Sequence, residues 1–186
     1  MKVEASRFRD QLLDITKEEI PRHWPLLRDL NQENPHEIRD NPIEPESDVV
    51  LDDFNCFEYA FDLIRSSEYK AALDYQKGWK IRPVGADVNF VQYLLENSAL
   101  TELTAVDNDV SCVIIYFNGV EPTHAGKFNN SRVRSKWGRG LLLEHNFDEV
   151  PSSYGDNVKF YESLLLDDCI DVFVDFAKAN GIPYKD

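Results

Sequence analysis

The spacing of apolar residues changes near residue 110, and this change limits the folds that the chain can adopt. Upstream, apolar residues recur every three or four positions, as in an amphipathic helix, for example Phe57, Phe61 and Ile64. Downstream, the run SCVIIYFNG (111–119) is short, β-branched and aromatic, which is typical of a buried strand. Further segments with strand character follow it, before a last segment with helical spacing. Helices followed by a small antiparallel sheet predict an α+β fold.

The same patterns divide the chain into elements. Residues 1 to about 30 are predicted to be helical, with an interruption or restart at PRHWP (21–25). A second helix is predicted to begin with Asp52 or Asp53 as its cap and to run to about Tyr75. A further helix is predicted at 88–100. Strands are predicted at 123–130 and 132–138, joined by a turn at Asn129-Asn130, and at 141–150. The segment 167–181 is predicted to be a helix capped by Asp167 or Asp168 or, alternatively, a strand.

The length of the chain suits one domain. Its 186 residues are enough to bury a sizeable core. The stretch NQENPHEIRDNPIEPESD (31–48) is polar and interrupted by prolines, so we interpret it as a surface connection. We therefore expect a helical extension at residues 1–45, packed on an α+β core at residues 46–186, with both parts forming one globular unit.

The formal net charge of −14 argues against two function classes. The chain has no surplus of cationic side chains to neutralise phosphates, so we expect neither nucleic-acid binding nor attachment to an anionic membrane surface. Basic residues do cluster in KFNNSRVRSKWGRG (127–140), which predicts a small positive patch on an acidic protein. The overall charge also suits a basic protein as a partner.

The N-terminus and the cysteines indicate a reducing compartment. The first 20 residues are too charged for a signal peptide, and no apolar run is long enough to span a membrane. Cys56, Cys112 and Cys169 are odd in number and widely spaced, which fits neither a disulfide framework nor a structural zinc site. We expect a cytoplasmic protein without a metal or other cofactor; export without a cleaved signal is the alternative.

Cys56 and His124 form the candidate catalytic pair. Cys56 is predicted to lie in or near a first helical turn, where backbone N–H groups and the helix dipole favour a thiolate. The alternative is a small, buried, apolar side chain. His124 begins a predicted strand, and the small residues Ala125 and Gly126 let another element approach it. A thiol and an imidazole so placed can meet across a helix–sheet interface and support nucleophilic catalysis.

Two segments resemble the papain-like cysteine hydrolases, in particular their compact NlpC-like branch. NCFEYAF (55–61) resembles the helix that carries their cysteine, and HAGKF (124–128) is similar to their histidine strand, H-[VA]-G-x-[YF]. RSKWGRGLLLEHNF (134–147) and VPSSYG (150–155) are similar to a group of NlpC-like proteins with a recurring serine-lysine segment and a later histidine. The resemblance spans about residues 51–161. It implies a cysteine-bearing helix packed on a small antiparallel sheet, to which this chain adds N-terminal helices.

Two features depart from the cell-wall peptidases of this branch. Those enzymes have aspartate-cysteine-serine-glycine at the nucleophile and are usually exported, whereas this chain has NCFE (55–58) and no signal. Lipid acyltransferase relatives share a similar cysteine motif, but their histidine precedes the cysteine. The resemblance therefore implies thiol–imidazole chemistry without implying cleavage of peptidoglycan.

The resemblance also implies roles for individual residues. Cys56 would be the nucleophile and His124 the general base and acid. The oxyanion would be held by the backbone N–H of Cys56 and by a second donor, either Asn55 or Lys136.

A third polar group should orient the imidazole. The spacing usual in the branch places it near Ser135 or Lys136, but Glu144 and His145 are chemically better suited. His145 is favoured because it aligns with the recurring histidine. Ser135, Lys136 and Trp137 would instead line a substrate groove, or would simply form a strand end with a turn.

These features predict a cysteine hydrolase or amidase that acts on an amide, isopeptide or thioester bond in a peptide-like or protein substrate. A glutamine deamidase would use the same thiol and imidazole. An acidic binding protein of the immunity or inhibitor type, without catalysis, is the alternative from a different class. His23 and His36 are expected to be structural or solvated.

Overall fold

Ile114 lies inside a seven-stranded antiparallel sheet, as the apolar run around it predicts. The structure, a computed structural model, describes residues 2–33, 38–40, 54–79, 83–107 and 110–184. Within these ranges the helices are α1 (Lys2–Lys17), α2 (Ile20–Glu33), α3 (Cys56–Ala60), α4 (Ser67–Gly78), α5 (Val88–Glu96) and α6 (Leu166–Ala179), with 310 helices at Leu63–Arg65 and Ser152–Tyr154. The strands are β1 (Arg39–Asp40), β2 (Glu102–Leu103), β3 (Cys112–Asn118), β4 (Glu121–Asn129), β5 (Arg132–Lys136), β6 (Leu142–His145) and β7 (Asn157–Glu162). The predicted α+β class is confirmed.

The strands lie in the order β1-β6-β5-β4-β3-β7-β2, and every neighbouring pair is antiparallel. The hairpin between β4 and β5 turns at Asn130 and Ser131, which have φ angles of 49° and 62°. The turn is therefore one residue later than predicted. The β3–β4 register shifts between Tyr116 and Phe117, next to the pair formed by Tyr116 and His124.

Alternate residues of β3 face two separate cores. Ile115 faces the core built with α3 to α6, and Ile114 faces the core built with α1 and α2. Both side chains are fully buried. Because helices cover both faces of the sheet, β3 is apolar along nearly its whole length. The sheet is the middle layer of three.

The helices α1 and α2 confirm the predicted helical N-terminus. Phe8, Leu12 and Ile15 form the expected stripe on α1 and are buried against the sheet. Pro21 occupies the first turn of α2, where a missing N–H is tolerated. The predicted surface connection lies largely outside the described residues, and residues 39 and 40 within it form the edge strand β1.

The helix that starts at Cys56 is much shorter than predicted. It ends after five residues, where Asp62 takes a left-handed conformation (φ 59°) that no continuous α-helix contains. The helix α4 then begins separately, with Ser66 as an N-cap whose hydroxyl accepts a first-turn N–H at 3.0 Å. The prediction of one helix reaching Tyr75 was wrong.

The segment at 167–181 is helical, so the strand alternative was wrong. The helix α6 begins at Leu166 without a side-chain cap, which places Asp167 and Asp168 in its first turn instead of at the cap. Their negative charges still favour the positive end of the helix dipole. The strand β7 was not predicted: only Val158 and Phe160 alternate with polar residues, and this pattern is short. Its pairing with β3 and β2 makes it a strand.

Candidate active site

Cys56 is the first residue of α3, and Asn55 is the N-cap. The side-chain oxygen of Asn55 accepts the backbone N–H groups of Phe57 (2.8 Å) and Glu58 (3.1 Å). The carboxylate of Glu58 in turn accepts the backbone N–H of Asn55 (2.7 Å), which completes a capping box. Asn55 therefore caps α3. The predicted cap residues Asp52 and Asp53 lie outside the described residues. The thiol lies in the first turn, as predicted.

Burial dominates the electrostatics of the thiol. Cys56 as a residue is partly exposed, but its sulfur is enclosed by protein atoms, and this burial raises the thiol pKa from 9.0 to about 11. Hydrogen bonding from the backbone N–H groups of Ala125, Cys56 and Phe57, and then the charge of Lys136, lower the pKa by less. The first-turn position alone predicts a thiolate. The structure instead favours a neutral thiol, because the surrounding core removes water from the sulfur.

The imidazole of His124 is also buried and neutral. Only 1% of the residue is exposed, and the ring stacks on Tyr154 with centroids 3.9 Å apart and an interplanar angle of 11°. Burial, and then the charge of His145, lower the His124 pKa well below 6.5. Its Nε2 atom has no hydrogen-bond partner among the described residues. A buried nitrogen without a partner is uncommon, which marks His124 as a candidate functional group.

The structure places the Cys56 sulfur beside the backbone of β4, one residue after His124. The β4–β5 pairing ends before it reaches Ala125. The Ala125 N–H favours the Cys56 thiolate, so the sulfur lies near this part of β4. The His124 ring lies on the α1–α2 side of the sheet, whereas Cys56 packs with the α3–α6 core. Tyr154 stacks its ring on His124. The pKa of its hydroxyl is raised by burial and then by the nearby Cys56.

His145 belongs to a chain of buried hydrogen bonds. The Nε1–H of Trp137 donates to Ser135 Oγ (3.0 Å), Ser135 donates to His145 Nε2 (2.8 Å), and His145 Nδ1 donates to the Asn146 carbonyl (2.7 Å). Both nitrogens of His145 are therefore engaged, and burial lowers its pKa to about 4. None of these bonds involves His124, so they do not orient its imidazole as predicted. Ser135 and Trp137 are at most 2% exposed, so they are core residues and not walls of a groove.

Two other predicted site residues have structural roles. Glu144 forms ion pairs with Arg134 (3.0 Å) and Arg132 (3.8 Å), so its carboxylate does not orient an imidazole. The side-chain amide of Asn55 donates to the Ala86 carbonyl (3.0 Å) while its oxygen caps α3. Asn55 is therefore engaged on both sides and is not available as the second oxyanion donor.

Lys136 is the predicted residue that does act on the sulfur. Its side chain is fully buried and lies with its ammonium 5.5 Å from the ring centroid of Phe54. The ammonium also donates to the Gly138 carbonyl (2.9 Å). Its positive charge favours the Cys56 thiolate. A second oxyanion donor has to stabilise a negative charge in the same way.

A closed ring of hydrogen bonds behind Cys56 was not predicted. The Glu58 carboxylate accepts the Tyr69 hydroxyl (2.6 Å), that hydroxyl accepts the Ala86 N–H (2.6 Å), and the Ala86 carbonyl accepts the Asn55 amide. The backbone N–H of Asn55 closes the ring on Glu58. A helix of five residues has little stability of its own, so this ring holds the first turn that carries the thiol. The Asn-x-x-Glu spacing of a capping box could have indicated Glu58.

Glu58 should make the protein lose stability as the pH rises. Burial raises the Glu58 pKa above 4.5, against weaker opposing effects of its hydrogen bonds from Tyr69 and Asn55. A carboxyl group with a raised folded-state pKa stabilises the fold below its unfolded pKa, and this contribution is lost as the pH rises through the folded pKa. We therefore expect the unfolding free energy of wild type to fall relative to that of Glu58→Gln as the pH rises from about 4 to about 7.

Urea titrations of both proteins across this pH range measure the effect. Glu96→Gln, on the exposed face of α5, is the matched control and should show no such trend against wild type. The prediction would be contradicted if the unfolding free energy of wild type rose relative to that of Glu58→Gln with increasing pH. A difference between the two unfolding free energies that stayed constant would also contradict it.

Two features are absent from the ranges that the structure describes. No group of three or more histidine, cysteine, aspartate or glutamate side chains there is arranged to hold a metal ion. No helix there combines the length and the apolar character needed to cross a membrane.

The fold and the site together define a three-layer α+β protein in which a short helix brings a thiol to the strand that carries a buried imidazole. The chain belongs to the family described as a domain of unknown function, DUF7689, whose model matches residues 50–162. This region contains Cys56, His124 and Tyr154, whereas α1, α2 and α6 lie outside it. No curated protein and no solved structure gives a significant match to the chain.

Proposed function

We propose that this protein is a papain-like cysteine hydrolase of the NlpC-like type, which cleaves an amide, isopeptide or thioester bond. The observation that carries the proposal is the position of Cys56, at the start of a helix that packs on β4, the strand that carries His124. The unpartnered Nε2 of His124 and the buried charge of Lys136 support it.

The two neutral groups suit proton transfer during attack. The Cys56 thiol gives its proton to His124 as the sulfur bonds to the carbonyl carbon of the substrate. The backbone N–H of Cys56 and the ammonium of Lys136 hold the oxyanion. The intermediate then collapses, the bond to the leaving group breaks, and His124 donates its proton to that group. Water, deprotonated by His124, hydrolyses the resulting thioester and restores the thiol.

Acyl transfer from p-nitrophenyl acetate tests this chemistry without knowledge of the substrate. We expect p-nitrophenolate release with an acetyl group on Cys56, located by mass spectrometry. The acylation rate should fall by about 10²–10⁴-fold in His124→Ala, because the proton acceptor is lost. Cys169→Ala, which removes a buried cysteine from α6, is the control and should react like wild type. Equal acylation of wild type and His124→Ala would overturn the proposal.

An acidic, non-catalytic binding protein is the second candidate. The raised pKa of Cys56 favours it, since a buried neutral thiol and a buried neutral imidazole are also compatible with simple packing. The net charge of −14 suits a basic partner whose association slows as salt screens the attraction. Release of ammonia from a glutamine peptide, without cleavage of its chain, would instead identify a deamidase.

A further inference from the structure

Residues 150–156 cover the imidazole of His124. Tyr154, at the end of the 310 helix Ser152–Tyr154, provides the stacked ring described above. The Tyr154 carbonyl also accepts the hydroxyl of Thr123 at 2.6 Å, which joins the covering segment to β4. The placement of His124 therefore depends on what holds this segment.

Arg9 of α1 binds the segment on both sides of Tyr154. Its Nε donates to the Val150 carbonyl (3.0 Å), one terminal nitrogen donates to the Gly155 carbonyl (2.6 Å), and the other forms an ion pair with Asp156. The Arg9 side chain is only 17% exposed. A planar guanidinium can satisfy three acceptors at once in one orientation, which a lysine cannot reproduce. Arg9 therefore fixes both ends of the segment.

The other side of the segment rests on β3. Gly155 has a φ angle of 90°, and a Cβ atom there would lie 2.1 Å from the carbonyl oxygen of Phe117. Only glycine allows this approach. The segment is thus held between β3 and the Arg9 side chain, with little freedom to shift.

The helix α2 supports Tyr154 from a second direction. His23 is 5% exposed, and its Nε2 donates to the Glu18 carbonyl (2.9 Å). It packs so closely on Gly140 that a Cβ atom there would lie 2.2 Å from His23 Nδ1. Gly140 belongs to the same turn as Gly138, whose N–H lowers the pKa of the Tyr154 hydroxyl and so lies near it. His23 is therefore structural, as predicted, and it holds the turn that contacts the Tyr154 hydroxyl.

We propose that the two N-terminal helices complete the candidate active site, and that Arg9 is a positioning residue that holds Tyr154 against the His124 ring. The catalytic consequence rests on the proposed function, whereas the placement of Tyr154 does not. Arg9 lies outside residues 50–162, so the region that the family model matches does not contain every residue that builds this site.

The test compares Arg9→Met and Arg9→Lys with Arg22→Met. Arg22 makes an exposed ion pair with Glu18 and does not contact the segment, so it is the matched control. Tyr154→Leu gives the reference state without the stacked ring. The NMR signals of the His124 ring report the stacking directly, because an aromatic ring at 3.9 Å shifts them. Carbethoxylation by diethylpyrocarbonate, followed by mass spectrometry, reports access to each histidine.

In Arg9→Met we expect the His124 signals to move towards their positions in Tyr154→Leu, and His124 carbethoxylation to rise about tenfold as the segment opens locally. Arg9→Lys should lie between wild type and Arg9→Met, and Arg22→Met should match wild type. His145, with both nitrogens engaged, should stay protected throughout. Unmoved His124 signals in both Arg9 variants would overturn the inference. An equal rise at His145 would also overturn it, because Arg9 would then be a general stabiliser.

Acylation of Cys56 separates this inference from the proposed function. If the acylation rate falls in Arg9→Met and is unchanged in Arg22→Met, the result supports both the proposed function and the role of Arg9. Wild type that fails to acylate overturns the proposed function alone, since the His124 signals still decide the role of Arg9.

Discussion

At neutral pH the fraction of Cys56 in the thiolate form should be about one-hundredth of that of an exposed cysteine, and its alkylation by iodoacetamide should be correspondingly slow. Burial raises its pKa from 9.0 to about 11, and each pKa unit is a factor of ten in thiolate. The nearby N–H groups and Lys136 oppose this effect without cancelling it. Because the thiolate is the reactive form, the rate should still be rising above pH 9, where an ordinary thiol levels off.

Mass spectrometry measures Cys56 separately from Cys112 and Cys169, two buried cysteines that act as internal controls. Lys136→Met should slow Cys56 further, since it removes a charge that favours the thiolate. Lys127→Met is the matched control, because Lys127 pairs with Asp62 and does not contribute to the Cys56 pKa. A Cys56 rate that levels off at pH 7 or below would contradict the prediction and would indicate a pre-formed ion pair with an imidazolium.

This measurement also bears on the proposed mechanism. An enzyme with a pre-formed thiolate–imidazolium pair has a depressed thiol pKa. Here burial shifts the pKa of Cys56 upwards and that of His124 downwards, so both groups are neutral. A neutral pair requires the proton to move as the sulfur attacks, and it makes His124 essential to acylation itself.

Trp137→Ala should lower the free energy of unfolding by about 3–5 kcal/mol, the usual cost of deleting a buried tryptophan ring. Trp137 is 2% exposed, and its ring centroid lies 5.4 Å from that of His145 and 6.4 Å from that of Tyr154. The substitution also removes the donor to Ser135 Oγ. Urea unfolding measures the loss.

Trp79→Ala is the matched control for this effect. Trp79 follows α4 and is 61% exposed, so its replacement should change the unfolding free energy by only about 0.5 kcal/mol. A loss below about 1 kcal/mol in Trp137→Ala would show that the ring is not part of the core. That result would restore the substrate-groove interpretation of Trp137.

Elements with a strong local pattern could be predicted from the sequence. Ile114 lies in a β-branched run, and Phe8 and Leu12 lie on a helical stripe, so their spacing alone indicates strand and helix. The end of α3 could not be predicted, because Asp62 takes its left-handed conformation while paired with Lys127, which lies 65 positions further along the chain. The strand β7 likewise depends on its partners in the sheet.

The candidate site also has features that could be predicted from the sequence and features that could not. Cys56 at a helix start and His124 in a strand were predictable, because each position follows from nearby residues. The orienting role predicted for His145 and the oxyanion role considered for Asn55 were wrong, because each depends on which distant group the side chain meets. Of the two alternatives for Trp137, the strand end with a turn is confirmed and the groove wall is not. Tyr154 and Gly155 could be interpreted from the sequence only as a turn or as part of a substrate groove, whereas the structure stacks Tyr154 on the imidazole.

The sequence by itself determined that the thiol lies at the start of a helix and that the imidazole lies on a strand, although β4 begins three residues before His124. Capping residues, helical periodicity and strand alternation act over a few neighbouring positions, so they can be read locally. Only the tertiary structure decided the charge state of the two groups and what surrounds them. Burial is a property of the whole packed chain, and here it outweighs the helix N-terminus at Cys56 and keeps His124 neutral beneath a tyrosine held by Arg9.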